Sequence, residues 1–185
     1  MRKLIYGINL TIDGCFDHDK MMASEAVHEY FTKLVRDAGL LLYGRITYEL
    51  MVPFWPEIAR EQSMSKELNE FALVFDAVDK VVFSKTLKSA EGNTRIVRTD
   101  LKDEILRLKQ EEGGDILAGG VSIPSQLIAL GLVDEFYFVV HPVIAGSGRR
   151  LMDGISLSEN LELELVDSKV LKPGWVANHY RTAAR

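Results

Sequence analysis

Leu40-Leu41-Leu42-Tyr43-Gly44-Arg45-Ile46-Thr47-Tyr48-Glu49 and Asp115-Ile116-Leu117-Ala118-Gly119-Gly120-Val121-Ser122 decide how this chain is read. Each starts as an apolar run of strand length, reaches glycine and passes into sequence that suits a helix. Such a junction turns the N–H groups of a helix N-terminus outward, and glycine leaves no Cβ in the path of an anion. Two of them, with Arg45 beside the first, suit a ligand with more than one phosphate, such as a phosphorylated dinucleotide. Neither is the Gly-x-Gly-x-x-Gly fingerprint, which argues against a true Rossmann domain.

Upstream of both, Lys3 to Leu10 reads as a first strand, closed by Asp13-Gly14. Ser24 suits a helix N-cap before the periodic Val27, Tyr30, Phe31, Leu34 and Val35, and Gly39 suits the C-cap. After the helix that opens at Gly44, Pro53 and Pro56 impose a break, and Glu57 to Leu73 reads as partly helical. Lys80 to Ser84 and Thr94 to Arg98 are short strands. Leu101 to Glu112 carries Leu101, Ile105 and Leu108 at helical spacing and ends before Gly113-Gly114. A helix from the second glycine junction runs to about Leu130, capped by Gly131, and Asp134 to His141 is apolar enough for a central strand. Leu161, Leu163 and Leu165 alternate with glutamates as in a half-exposed strand. Pro173-Gly174 turns the chain into a last strand, Trp175 to Arg181, which makes an antiparallel hairpin. The pattern is βαβαβ followed by β–β, hence a mixed sheet with helices on both faces.

A length of 185 residues suits one domain, 1–185, with a sizeable core. A formal net charge of -5 argues against a general nucleic-acid binder, though not against a local phosphate pocket. Cys15 is the single cysteine, so no internal disulfide framework exists, and a reducing, cytoplasmic setting is expected. Arg2-Lys3 before an apolar run imitates a secretory leader only faintly, because the run stops at Thr11 and Asp13. No stretch is long and apolar enough to suggest a membrane span.

Three segments, in order, resemble the dihydrofolate reductases. These are Gly44-Arg45-Ile46-Thr47-Tyr48-Glu49, the strand-Ser-Lys run Val81-Val82-Phe83-Ser84-Lys85, and Ala118-Gly119-Gly120-Val121. Thr11-Ile12-Asp13-Gly14, and Pro142-Val143-Ile144-Ala145-Gly146-Ser147-Gly148-Arg149, are similar to the reductase domain of the bifunctional riboflavin deaminase–reductase and to its stand-alone bacterial relatives. The resemblance covers essentially the whole chain. It implies a dihydrofolate reductase-like three-layer α/β/α fold, with a mixed, mostly parallel central sheet and a C-terminal antiparallel hairpin. No His-x-Glu with a later Pro-Cys-x-x-Cys is present, so only the reductase half is implied.

The resemblance also implies NADPH as cofactor, bound by Gly44, Arg45, Thr47, Ser84, Lys85, Gly119, Gly120, Val121 and Ser122. Arg45, Ser84 and Lys85 would receive the 2′-phosphate, since a guanidinium, a hydroxyl and an ammonium suit an oxyanion. Asp13 would border nicotinamide and substrate, and competes with a plain Asp-Gly turn. Dihydrofolate reductases carry a carboxylate on the first long helix. Here the matching stretch is Ser24-Glu25-Ala26-Val27-His28-Glu29, where Glu25 and Glu29 lie one turn apart and no Asp appears. Asp13, Glu25 and Glu29 are therefore the candidate catalytic residues. Trp55, Trp175 and His141 read as core or pocket wall, and Gly146 to Arg150 as a surface loop or a phosphate-binding one. The expected function is hydride transfer from NADPH to a heterocyclic or ribosylamino substrate such as 5-amino-6-(5-phosphoribosylamino)uracil. A pterin reductase and a non-catalytic nucleotide-binding protein are the alternatives. A small-molecule substrate and a homodimer are the expected partners, with the C-terminal hairpin offering an edge that can pair.

Overall fold

The computed structural model describes residues 1–22 and 24–183. Eight strands form one sheet: β1 (Leu4–Thr11), β2 (Ala38–Gly44), β3 (Lys80–Phe83), β4 (Thr94–Val97), β5 (Asp115–Ala118), β6 (Glu135–His141), β7 (Leu163–Leu171) and β8 (Trp175–Thr182). Their order across the sheet is β4-β3-β2-β5-β1-β6-β8-β7. The six strands from β4 to β6 are mutually parallel, whereas β8 runs antiparallel to both β6 and β7. The helices are α1 (Glu25–Asp37), α2 (Arg45–Met51), α3 (Trp55–Glu61), α4 (Lys66–Ala77), α5 (Leu101–Gln110) and α6 (Ser122–Ala129).

Two apolar layers follow from strand alternation. On one face Leu41, Tyr43, Val82 and Leu117 meet Val35 of α1, Tyr48 of α2, and Phe71 and Phe75 of α4. On the other Leu4, Tyr6, Leu42, Val81, Ile116 and Phe136 meet Ile105 and Leu108 of α5, and Leu127 and Ile128 of α6. The three-layer arrangement and the C-terminal hairpin are those expected from the sequence. The break at Pro53 and Pro56 separates α2 from α3, with Pro56 in the first turn of α3.

Two local expectations change. Gly39 does not cap α1: the helix ends at Asp37, with Ala38 at the cap, and Gly39 already belongs to β2 at a bulge between Ala38 and Leu40. A Cβ on Gly39 would lie 2.6 Å from the backbone nitrogen of Gly114, so glycine serves a close crossing of two backbones there. β7 is exposed over Glu164 to Val170 rather than half-buried. It is the outermost strand, and its bulge between Leu165 and Asp167 interrupts the side-chain alternation that Leu161, Leu163 and Leu165 suggest.

Among the described residues, no helix is long and apolar enough to cross a membrane.

Candidate active site

The centre of the sheet contains a notch. β5 stops at Ala118, level with Tyr6 of β1 and Leu42 of β2. Beyond that level β1 runs on to Thr11 paired with β6, and β2 runs on to Gly44 paired with β3. The chain also reverses direction across the sheet here. From β1 it passes through α1 to β2 on one side, and from β5 through α6 to β6 on the other. In open α/β sheets such a switch point, outside the carboxyl ends of the strands, is where ligands enter.

The two glycine junctions flank the notch and fit into each other. Gly119 donates its N–H to Leu42 O at 3.0 Å, and Tyr6 donates its hydroxyl to Gly120 O at 2.9 Å. A Cβ on Gly119 would lie 2.6 Å from the Tyr43 ring. Gly120 has φ +80°, and a Cβ there would lie 2.1 Å from Thr47 Oγ1. The glycine pair is thus required by contact between the junctions themselves, before any ligand is considered. Thr47 touches Gly120, so its hydroxyl belongs to that contact.

Neither helix that starts here has a side-chain cap. Gly44 caps α2 and Val121 caps α6, and neither provides an oxygen for the first-turn N–H groups. Ser122 is the first residue of α6 and Arg45 the first of α2. Uncapped N–H groups with the positive end of the helix dipole form a setting that favours anions.

The cationic residues lie to one side of the notch. Arg45 is held in an exposed ion pair with Glu49, 2.7 Å apart and one helical turn away. Ser84, just past β3, accepts N–H bonds from Thr86 (3.2 Å) and Leu87 (2.9 Å), so its oxygen shapes the turn that presents exposed Lys85. Arg98 follows β4 and donates to Leu87 O at 2.6 Å, which places a further guanidinium beside the Ser84 turn. Arg98 is not among the residues that the local sequence singles out. Its signal was an arginine directly after a short strand whose partner ends in Ser-Lys. Tyr48 accepts the Glu91 N–H at 2.9 Å and so ties the loop after β3 to α2.

Of the three candidate catalytic carboxylates, Asp13 lies at the carboxyl edge with both oxygens engaged. Oδ1 accepts from the Thr11 hydroxyl (2.6 Å) and Ala145 N (3.0 Å), and Oδ2 from Gly146 N (3.0 Å). The Thr11 and Ala145 bonds hold its carboxyl down to about 2, so it is a carboxylate near neutral pH. Arg150 approaches Asp13 Oδ2 at 3.4 Å, and Arg149 clamps Asp17 through Nε at 2.7 Å and its backbone N at 2.9 Å. The Gly146–Arg150 segment is therefore tied to the loop after β1, and both arginines are engaged by aspartates. Glu25 and Glu29 are exposed on α1, whose buried residues are Val27, Thr32 and Val35. His141 and Trp175 are buried, as a core or wall reading expects.

The RibD C-terminal domain model matches residues 2–177. The chain belongs to the RibD C-terminal domain family. A curated relative, the uncharacterized protein YyaP of Bacillus subtilis, is 29% identical over 179 residues, covering 95% of this chain and 92% of that one. A putative riboflavin biosynthesis protein from Shewanella sp. PV-4 superposes with a TM-score of 0.76 at 18% identity, over 98% of this chain and 99% of the other. A bifunctional diaminohydroxyphosphoribosylaminopyrimidine deaminase/5-amino-6-(5-phosphoribosylamino)uracil reductase from Thermotoga maritima gives 0.68 at 15% identity. That match takes in 98% of this chain but 57% of the larger protein. At these identities the two solved structures establish the fold, dihydrofolate reductase-like as the sequence implied.

Proposed function

We propose that this protein is an NADPH-dependent reductase of a ribosylaminopyrimidine or a related heterocycle. The observation that carries the reading is the notch over β5, where two uncapped helix N-termini and the cations Arg45, Lys85 and Arg98 share one edge of the sheet. That set suits a dinucleotide with a diphosphate and one more phosphate. First-turn N–H groups of α2 and α6 hold the diphosphate, while Arg45, Lys85 and Arg98 hold the 2′-phosphate.

The cofactor supplies a hydride, and the protein supplies binding and orientation. Substrate enters from the carboxyl edge of β1 and β6, beside the loop that Asp13 fixes. Asp13 is ionised and fully engaged, so its task is to hold the Ala145–Gly146 backbone. The proton that accompanies the hydride comes from water or from the substrate itself. Membership of the RibD C-terminal family supports the substrate class, since the Thermotoga relative is described as a uracil-type reductase. A second copy of the chain is the proposed partner, with the exposed strand β7 as the edge it meets.

Fluorescence titration with NADPH and NADH, on wild type and on Arg45→Ala, tests the reading. NADPH binds more tightly than NADH, and the difference shrinks in the variant. Binding of neither nucleotide would defeat this reading.

A further inference from the structure

A chain of three side chains crosses the sheet at the carboxyl ends of β1 and β6 and the amino end of the antiparallel β8. Trp175 Nε1 donates to His141 Nδ1 at 2.9 Å, and His141 Nε2 lies 3.0 Å from Asn9 Oδ1. His141 is 3% exposed and Trp175 7%, whereas Asn9 is half-buried.

The donor types settle the protons along this chain. An indole N–H only donates, so His141 Nδ1 is an acceptor and carries no hydrogen. A neutral imidazole then carries its hydrogen on Nε2, and the Asn9 atom that faces it accepts. This fixes the orientation of the Asn9 amide. An imidazolium would set an Nδ1 hydrogen against the indole hydrogen, so Trp175 also excludes the charged form. Burial acts in the same direction and lowers the His141 pKa.

With Oδ1 committed to β6, the Asn9 amide NH₂ is the free branch. Among the described residues no acceptor engages it. Asn9 lies on the same sheet face as Gly7, whose missing Cβ would meet Phe31 and Leu34 of α1 and Leu117. It sits past the level at which β5 ends, in the stretch of β1 that borders the notch.

We infer that Asn9, oriented by the Trp175–His141 pair, is a substrate-positioning donor that binds a carbonyl oxygen or unprotonated ring nitrogen of the heterocycle to be reduced. The inference rests on the reductase reading, and it adds a recognition element. A hydrogen-bonding site of this kind discriminates against a ligand that lacks the acceptor, because the half-buried amide is then left unmatched.

The test uses the full chain with 5,6-diaminouracil as probe and has two arms. Long-range proton–nitrogen NMR on ¹⁵N-histidine protein reads the His141 tautomer without any ligand. The expected result is the Nε2–H form of the neutral ring, with loss of that fixed form in Trp175→Phe. Calorimetry reads probe affinity. Asn9→Asp keeps an acceptor for His141 but removes both donors, and it weakens the probe about tenfold or more. Asn9→Ala does the same, and NADPH affinity stays at the wild-type value in both variants.

An Nδ1–H tautomer, or Asn9 variants that bind the probe like wild type, would overturn the inference. NADPH binding without probe binding overturns it while the reductase reading stands. Loss of NADPH binding in wild type defeats the reductase reading instead, and the tautomer arm still decides the orientation of Asn9.

Discussion

Gly120 and Thr47 belong to different strand–helix junctions, yet a Cβ on Gly120 would stand 2.1 Å from Thr47 Oγ1. The contact locks β5–α6 onto β2–α2 at the mouth of the notch. Gly120→Ala meets two penalties, the clash and a backbone held at φ +80°. Together they should cost about 2–4 kcal/mol. Pairing it with Thr47→Ala should recover most of the steric part, since only the Thr47 Cβ at 3.1 Å then remains close, and leave about 1–2 kcal/mol from the backbone. Urea denaturation of the two single variants and the double variant measures the coupling. Additive effects would mean that the junctions do not bear on each other.

Arg98 and Lys85 flank the Ser84 turn, and both are exposed. Replacing either with alanine should weaken NADPH by about tenfold or more and leave NADH nearly unchanged, since only one of the two carries the extra phosphate. The loss should shrink as salt is raised, because exposed charges are screened. Titrations at two ionic strengths check it. Equal losses for both nucleotides would move these residues away from the 2′-phosphate.

Asp13 fixes the Ala145–Gly146 backbone, and its folded pKa is depressed from 3.8 to about 2. A carboxyl group depressed by folding contributes stability above its unfolded value and loses that contribution as pH falls through its folded value. Hydrogen-exchange protection of the Ala145 and Gly146 amides should accordingly be full above about pH 4 and fall toward pH 2. In Asp13→Asn that dependence disappears, and both amides exchange faster at every pH. Unchanged protection in the variant would show that the loop holds itself.

Lys80 is 2% exposed, with Nζ donating to Val78 O (2.7 Å), Asn93 Oδ1 (3.1 Å) and Asp76 O (3.3 Å). Burial pushes its pKa down to about 8, against the attraction of Asp76 and Asp79. The unfolded chain therefore binds more protons above that value, so stability rises with pH from about 8 toward 10. Beyond about 10, tyrosines 6, 43 and 137, whose pKa values are raised chiefly by burial, reverse the trend, because the unfolded chain ionises first. Lys80→Met should lose the rise between 8 and 10. It should also be less stable at pH 7 by about 1–3 kcal/mol, since the oxygens that Lys80 serves are left unpaired. Thermal unfolding across this pH range decides it.

Much of the architecture is legible in local sequence. Leu41-Leu42 and Ile116-Leu117 announce buried strands, Pro53 and Pro56 announce a break, and Gly131 at φ +67° ends α6 where a glycine cap was expected. These signals are local because they depend on backbone propensity and side-chain period alone. Gly39 misled for the same reason. Its position after an amphipathic run matches a helix cap, and nothing nearby in sequence reveals that the backbone of Gly114 lies against it.

The candidate site divides along the same line. Residue type and strand–turn–helix order are written in the chain, so Arg45, Ser84, Lys85 and the two glycine junctions are recognisable from it as phosphate chemistry. What those residues contact emerges only once the sheet is assembled. Gly119 and Gly120 accommodate Tyr43 and Thr47, Ser84 shapes its own turn, and Asp13 clamps a loop more than a hundred residues away. The same is true of Arg98 beside the Ser84 turn and of the Trp175–His141–Asn9 chain. Each joins groups from separate strands, and which strands are neighbours is set by burial and pairing over the whole sheet.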